Sequence, residues 1–320
     1  ASLGAYQSKA SPYYPWYRFR KFPDDYEAWW DIETLPNVNE LEPSYLDFIV
    51  RNESSVVKHW MKLGAKGWRL DVADELPDEF LRILRQEVKA LDPTCAIIGE
   101  VWEDASRKVS YGKLREFLWG EELDGVTNYP FRTALLRFLS THGSEFDATS
   151  LHQVLTSQYE NYPLPALYSS FTLLGTHDVP RVLTLLQDCP AAQYLSRREQ
   201  ANFQPTAKQQ ELGEKRLRLA SLVQMTYPGV PLIYYGDEVG VTGYADPLNR
   251  RTFPWGKENK RILNWYKLII AQRHKYDCLR TGHWKSVYHR GDVWGFIRSI
   301  ASERDIFGRK RSTNSALILI

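Results

Sequence analysis

The sequence predicts an α/β fold in which parallel strands alternate with helices. Several short segments are apolar throughout, as expected of strands buried on both faces, and amphipathic helical patterns separate them. The pattern changes after Gly282, where short alternating segments with turn signals indicate antiparallel strands. We therefore expect a parallel sheet followed by the start of an antiparallel β domain.

The predicted elements follow one another along the chain. Residues 1–42 are rich in proline, aspartate and aromatic residues and have no sustained period, which favours a long ordered loop or a small excursion domain. A helix is predicted from Pro43 to about Leu63, and another begins at Pro77. The remaining predictions are strands at 67–72, 96–101, 125–131, 171–178 and 230–236, and helices at about 132–140, 148–159, 208–226 and 262–270.

Composition excludes several classes of function. The 41 Lys and Arg residues nearly balance the 39 Asp and Glu residues, so binding of nucleic acid through bulk charge is not expected. No stretch reaches the roughly 18 apolar residues that cross a bilayer, so we expect no membrane partner. Three scattered cysteines favour a reducing, cytoplasmic compartment. No zinc spacing or phosphate-binding loop is present, so no metal or cofactor is predicted.

Polar residues stand at the carboxyl ends of three predicted strands. Arg69 and Asp71 end the first, Glu100 the second, and His177 and Asp178 the third. Catalysis in parallel α/β folds takes place at this edge of the sheet, so the three carboxylates are expected to converge. Residues two apart on a strand face the same side, so Arg69 can orient the Asp71 carboxylate. Singly, each acid could instead be a helix cap or a structural ion pair.

Three of these segments resemble, in order and spacing, the active-site segments of the α-amylase family of retaining glycoside hydrolases. They are GWRLDVA at 67–73, GEVW at 99–102 and LGTHD at 174–178. Residues 229–238 resemble the family's last barrel strand, and LPNVN at 35–39 is similar to a loop of neopullulanases, cyclomaltodextrinases and maltogenic amylases. The resemblance implies a (β/α)8 TIM barrel that cleaves α-glucosidic bonds in maltooligosaccharides, cyclomaltodextrins or pullulan with net retention.

The resemblance also implies a role for each strand-end residue. Asp71 matches the nucleophile, Glu100 the general acid and base, and Asp178 the third carboxylate, which binds sugar hydroxyls and stabilises the transition state. Arg69 matches the arginine that orients the nucleophile, and His177 matches a substrate-binding histidine. A retaining mechanism through a covalent glycosyl-enzyme needs two carboxyl groups about 5–5.5 Å apart.

Other residues are secondary candidates. Asn39 and Trp102 are expected to bind substrate, whereas Asp237 and Glu238 could bind substrate or hold loops together, with a structural role favoured for Glu238. An aromatic cluster in residues 1–42 is either a sugar platform or a small core of that segment: Tyr13, Tyr14, Trp16, Tyr17, Trp29 and Trp30. Three histidines on helical segments are expected to be surface or packing residues: His59, His142 and His152.

One family segment, a strand end that finishes in Asn-His, is missing. We therefore expect an N-terminally truncated barrel with about strands 4 to 8: residues 1–42 as the excursion after strand 3, 43–281 as the partial barrel, and 282–320 as the truncated start of a C-terminal β-sandwich domain. Five βα units cannot close an eight-stranded ring. This length of chain alone is expected to fold poorly or be inactive, because its first strand would expose an unpaired parallel edge. Calcium binding and a homodimer of the intact protein stay open.

Rival functions differ in class. An α-glucosidase or oligo-1,6-glucosidase would use the same acids and differ in its loops. A non-catalytic relative, such as the amylase-like ectodomain of amino-acid transporter heavy chains, would lack the full acid set, which this chain retains. The third alternative is an inert fragment of an enzyme.

Overall fold

The computed structural model of the chain describes residues 3–140 and 145–320. The chain divides into two units, one made of residues 1–100 and 109–123 and the other of residues 101–108 and 124–320. This division does not coincide with the boundaries expected after residues 42 and 281, which stay predictions.

The first unit begins with an aromatic segment. Strands β1 (Phe19–Lys21) and β2 (Asp25–Tyr26) pair antiparallel, and single 3-10 turns lie at Tyr14–Trp16 and Trp29–Asp31. Trp29 stacks on Trp30 with 4.3 Å between ring centroids. Within residues 3–42 no hydrophobic side chain is fully buried. Ring-to-ring packing therefore orders this segment, and many of its rings keep a face accessible.

The single helix predicted from Pro43 to Leu63 is wrong. Helix α1 (Pro43–Leu46) continues into a π-helical turn at Asp47–Arg51. The backbone becomes extended at Asn52, and α2 (Val56–Lys62) begins as a separate helix.

Ser55 explains why the helix restarts. Its hydroxyl accepts a hydrogen bond from the Lys58 amide at 3.4 Å and donates one to the Val50 carbonyl at 2.9 Å. A serine side chain competes for backbone hydrogen bonds inside a helix but satisfies them at a helix start. The apolar spacing across this region was compatible with one helix, whereas the local hydrogen bonds favour two.

A parallel strand pair follows. Strands β3 (Gly67–Leu70) and β4 (Ala96–Gly99) run in register, with Leu70 opposite Gly99, and helix α3 (Asp78–Leu91) connects them. The helix buries the apolar face that the sequence predicts: Phe80, Leu81, Leu84 and Val88. The short strands β5 (Val109–Ser110) and β6 (Lys113–Leu114) complete the unit as an antiparallel pair.

The second unit contains another group of parallel strands. Strand β8 (Phe171–Leu173) pairs with both β7 (Gly125–Asn128) and β9 (Val230–Leu232). The strands predicted at 171–178 and 230–236 were longer because they included the loops that follow, and the strand predicted at 125–131 included the first turn of the helix that begins at Tyr129. The helices are α4 (Tyr129–Leu139), α5 (Ala148–Asn161), α6 (Leu164–Ser169), α7 (Val182–Leu186), α8 (Arg197–Asn202), α9 (Ala207–Thr226), α10 (Lys260–Lys275) and α11 (Asp277–Thr281).

An antiparallel sheet ends the chain and shares the core of the second unit. Its strands are β10 (His283–Arg290), β11 (Val293–Ile300) and β12 (Asn314–Leu319), in that order. Trp294 and Phe296 lie in one apolar cluster with residues of the helices. The fully buried Arg298 donates hydrogen bonds to the carbonyls of Thr226, Leu279 and Gly282. These bonds tie β11 to the ends of α9 and α11.

We expect Ser55→Ala to lower the free energy of unfolding by about 1–2 kcal/mol, because it removes the cap of α2 and leaves the buried Val50 carbonyl without this donor. Urea unfolding followed by circular dichroism measures the change. Ser54→Ala at the neighbouring exposed position is the control. Equal midpoints for the two variants would show that Ser55 is not the cap.

Candidate active site

Arg69 contacts both candidate catalytic acids of the first unit, Asp71 and Glu100. Its Nη1 bonds to Asp71 Oδ1, and its Nη2 lies 2.8 Å from Glu100 Oε1. Arg69 lies in β3, Asp71 just beyond it, and Glu100 directly after β4. Because these strands pair in parallel, their carboxyl ends bring the three side chains together.

The two carboxylates have opposite surroundings. The Glu100 side chain is 4% exposed, whereas that of Asp71 is 75% exposed. Glu100 Oε2 also accepts a hydrogen bond from the Val72 amide at 3.0 Å, so both oxygens of the buried acid have partners. A buried carboxylate needs such partners to offset its loss of water. Glu100 is therefore held in one position while Asp71 is accessible to a ligand.

Val72 carries backbone strain next to these acids. Its φ of 42° and ψ of 54° lie in the left-handed region, which a β-branched residue rarely adopts. Strain of this kind costs on the order of 1–3 kcal/mol and is concentrated at functional sites. Here it accompanies the hydrogen bond from the Val72 amide to Glu100.

A cavity of about 460 Å³ opens beside Asp71 in the first unit. Its lining combines aromatic rings with carboxylates and an amide: Trp29, Thr34, Leu35, Pro36, Asn37, Glu40, Asp71, Val72, Glu75, Leu76 and Tyr111. Rings pack against the apolar faces of pyranoses, and carboxylates accept hydrogen bonds from their hydroxyls. The composition of this cavity therefore suits a sugar.

Several residues of this cavity were missed from the sequence. Glu75 accepts hydrogen bonds from the Tyr111 hydroxyl at 2.7 Å and from Trp30 Nε1 at 3.3 Å. The bond to Glu75 raises the pKa of Tyr111 to about 12, and burial raises the pKa of Glu40. These residues lie outside the active-site motifs, so no spacing signal points to them.

The loop motif at residues 35–39 was informative, but the structure places a different asparagine in the cavity. Asn37 lines it. The side chain of the predicted ligand Asn39 instead accepts a hydrogen bond from Arg18 at 3.4 Å. The backbone N–H of Asn39 donates to the Trp16 carbonyl at 2.6 Å. Its substrate contact stays a prediction.

His177 and Asp178 lie in the second unit, on the loop after β8. His177 Nε2 lies 3.1 Å from Asp178 Oδ2, and Arg250 Nη2 lies 3.8 Å from Oδ1. All three side chains are partly exposed. The Asp178 carboxylate thus faces solvent beside a guanidinium and an imidazole, which suits binding of sugar hydroxyls.

Asp237 is a buried structural residue. Its Oδ1 lies 3.1 Å from Nη1 of the fully buried Arg181. Burial raises the pKa of Asp237 to about 7, and Arg181 opposes that shift. Of the two roles left open from the sequence, the structure therefore favours holding loops together. The neighbouring Glu238 is partly buried.

Trp102 stacks on Tyr129 with 4.0 Å between ring centroids and remains half-exposed. His59 packs edge-on against Trp60, and His152 stacks on His289 at 3.9 Å. Burial lowers the pKa of His152. His142 lies outside the described residues.

Residues 3–140 and 145–320 contain no group of three or more His, Cys, Asp or Glu side chains placed to hold a metal ion. None of the helices in these ranges combines the length and apolar character needed to cross a membrane. The three cysteines are buried free thiols.

Comparison with known proteins gives one consistent family. The family described as alpha amylase, catalytic domain, matches residues 24–294. An amylopullulanase of Thermoanaerobacter thermohydrosulfuricus is 37% identical over 99% of this chain and 22% of the relative. A cyclomaltodextrinase of Thermoanaerobacter pseudethanolicus is 31% identical over 98% of this chain and 49% of the relative. The chain thus spans between about a fifth and a half of these curated relatives.

Solved structures agree with the sequence comparison. The cyclic alpha-maltosyl-(1→6)-maltose hydrolase of Arthrobacter globiformis, in complex with cyclic alpha-maltosyl-(1→6)-maltose, superimposes with a TM-score of 0.75. It is 26% identical, and the match covers 92% of this chain and 60% of that structure.

We expect Asp237 to make stability depend on pH. Because its folded pKa of about 7 exceeds the unfolded value of 3.8, the folded state holds a proton that the unfolded chain releases. The stabilising contribution is complete below pH 4 and is lost as the pH rises towards 7. Between about pH 5 and 8, wild type should lose more unfolding free energy than Asp237→Asn.

Urea titrations at both pH values measure this difference, with Asp292→Asn at an exposed turn as the control. Equal pH dependence in wild type and Asp237→Asn would show that Asp237 is ionised throughout the range.

Proposed function

Since this chain belongs to the α-amylase family of glycoside hydrolases, we propose that it supplies catalytic residues for cleaving α-glucosidic bonds in maltooligosaccharides, cyclomaltodextrins or pullulan. The reaction retains anomeric configuration, and the chain contributes part of a (β/α)8 barrel. The observation that carries the proposal is the contact of one guanidinium, that of Arg69, with an exposed and a buried carboxylate at adjacent strand ends. The named relatives support an α-glucan as substrate.

Asp71 is the nucleophile in this proposal. Its exposed carboxylate attacks the anomeric carbon while the glycosidic C–O bond breaks, which yields a glycosyl ester and a leaving oxygen that takes a proton from Glu100. Water then attacks the anomeric carbon, gives its proton to Glu100 and releases Asp71. Arg69 orients the Asp71 oxygens during both steps.

The contacts of Glu100 hold it in position as the acid. One oxygen is held by Arg69 and the other by the Val72 amide. A carboxyl oxygen has two lone pairs, so a protonated oxygen of Glu100 can keep its present N–H partner while its O–H donates to the substrate. Arg69 and the Val72 amide can therefore hold Glu100 in place while it transfers the proton.

Substrate recognition uses further polar and aromatic groups of each unit. Asp178 binds sugar hydroxyls and stabilises the transition state, His177 assists it, and Trp102 offers a flat ring for stacking. The cavity beside Asp71 holds a sugar unit, with Asn37 and Glu40 as hydrogen-bonding groups. Asn39, in the same loop as Asn37, is proposed as a further substrate-binding residue. The reaction needs no cofactor.

We expect Asp71→Asn to lower kcat in the complete protein by at least about 10³-fold, or about 4 kcal/mol, because an amide cannot form the glycosyl ester. The assay is release of reducing sugar from maltotetraose and pullulan. Asp25→Asn, which changes an exposed carboxylate on β2, should keep wild-type activity. A 5-fluoroglucosyl fluoride, which is turned over slowly and so traps the covalent intermediate, should label Asp71, as detected by peptide mass spectrometry. Full activity in Asp71→Asn would rule out Asp71 as the nucleophile.

Arg69→Lys tests the orienting role separately. A lysine keeps the positive charge but cannot hold two carboxylates in the planar geometry of a guanidinium. We expect kcat to fall about 10²-fold while the melting temperature changes little. Arg20→Lys on the exposed β1 strand is the matched control. If activity falls only in proportion to the amount of folded protein, Arg69 does not act by orienting Asp71.

A further inference from the structure

We propose that Asn249 is a positioning residue for the loop that carries His177 and Asp178, and that Arg181 holds Asn249 in place. The inference rests on the proposed function, because it assigns Asn249 to the same reaction. Asn249 and Arg181 lie in the second unit and are fully buried.

The side chain of Asn249 contacts the loop on both sides of Asp178. Its Nδ2 donates hydrogen bonds to the His177 carbonyl at 2.7 Å and to the Val179 carbonyl at 2.9 Å. These two carbonyls belong to the residues before and after Asp178 in the sequence. Both protons of one amide group therefore fix the backbone around the carboxylate.

The polarity of this contact indicates a specific role. Asn249 Oδ1 is buried and has no hydrogen-bond partner among the described residues. An unpartnered buried acceptor costs about 1–3 kcal/mol, so an apolar side chain would fill the space at lower cost. The two donated bonds are what an apolar residue could not provide.

Arg181 fixes the backbone of Asn249. Its Nε donates to the Asn249 carbonyl at 2.6 Å, and its Nη1 bonds to the Tyr235 carbonyl and pairs with Asp237. The guanidinium carbon lies 4.0 Å from the ring centroid of Tyr234. Arg181 is itself three residues beyond Asp178, so the loop and the segment that holds it are tied together from both sides.

The arrangement positions side chains that could otherwise move. His177, Asp178 and Arg250 are each partly exposed. The Asp178 carboxylate lies 3.1 Å from His177 Nε2 and 3.8 Å from Arg250 Nη2. Exposed side chains on a loop keep such geometry only when their backbone is fixed. Asn249 fixes the backbone of the first two through its side chain, and Arg250 is its neighbour in the chain. An error of about 1 Å at a catalytic group can cost roughly 10²-fold in rate.

The test is Asn249→Leu in the complete protein, because leucine has a similar volume and no donor. We expect kcat on maltotetraose to fall about 10²-fold while KM changes less than about threefold, since the misplaced carboxylate acts mainly in the transition state. Asn202→Ala is the matched control, because that exposed asparagine donates to one carbonyl, that of Arg198. Wild-type kcat in a folded Asn249→Leu protein would overturn the inference.

A second variant covers the case in which Asn249→Leu does not fold. Asn249→Ser keeps one donor, so it should lose about tenfold in kcat, whereas Asn249→Asp turns an acceptor towards two carbonyls and should lose more than serine. The same rate in both would overturn the inference. Failure of the proposed function is distinguishable, because wild type would then hydrolyse no α-glucan and label no Asp71.

Discussion

The contact of Arg69 with two carboxylates is the interaction on which the candidate site depends. Glu100 is buried, and Arg69 and the Val72 amide provide a hydrogen-bonding partner for each of its two oxygens. Asp71 receives its orientation from the same guanidinium. The register of β3 and β4 makes the contact geometrically available, because parallel strands end at one edge. The pairing of β3 with β4, the position of the buried Glu100 and the orientation of Asp71 therefore depend on one another.

Buried arginines play a comparable part in the second unit. Arg181 ties the segments at Tyr235 and Asn249, and Arg298 ties strand β11 to the ends of α9 and α11. Arg273 donates to the carbonyls of Met225, Gly229 and Leu279, the last of which it shares with Arg298, and burial lowers its pKa to about 9. A guanidinium has five donors in a rigid plane, so one side chain can bond several carbonyls at helix ends and in loops. The ends of α9 and α11 and the loop after β9 are held in this way.

The accuracy of prediction from sequence depended on the range of the interactions involved. The helices at α5 and α9 and the face of α3 were predicted because apolar spacing is a local signal. The helix across residues 43–63 was wrong because a serine hydroxyl, and not apolar spacing, decides where α2 begins. Glu75 and Tyr111 were missed because they are 36 residues apart and meet only after folding.

The sequence alone determined the family, the alternation of strands and helices, and which residues stand at strand ends, since these follow from motifs and periods along the chain. Only the tertiary structure decided that Arg69 contacts Glu100 as well as Asp71, that Asn37 lines the cavity, and that Asn249 holds the Asp178 loop. The physical reason is that burial and hydrogen-bond partners depend on distances through space. No pattern in one sequence encodes which distant carbonyl an amide will meet.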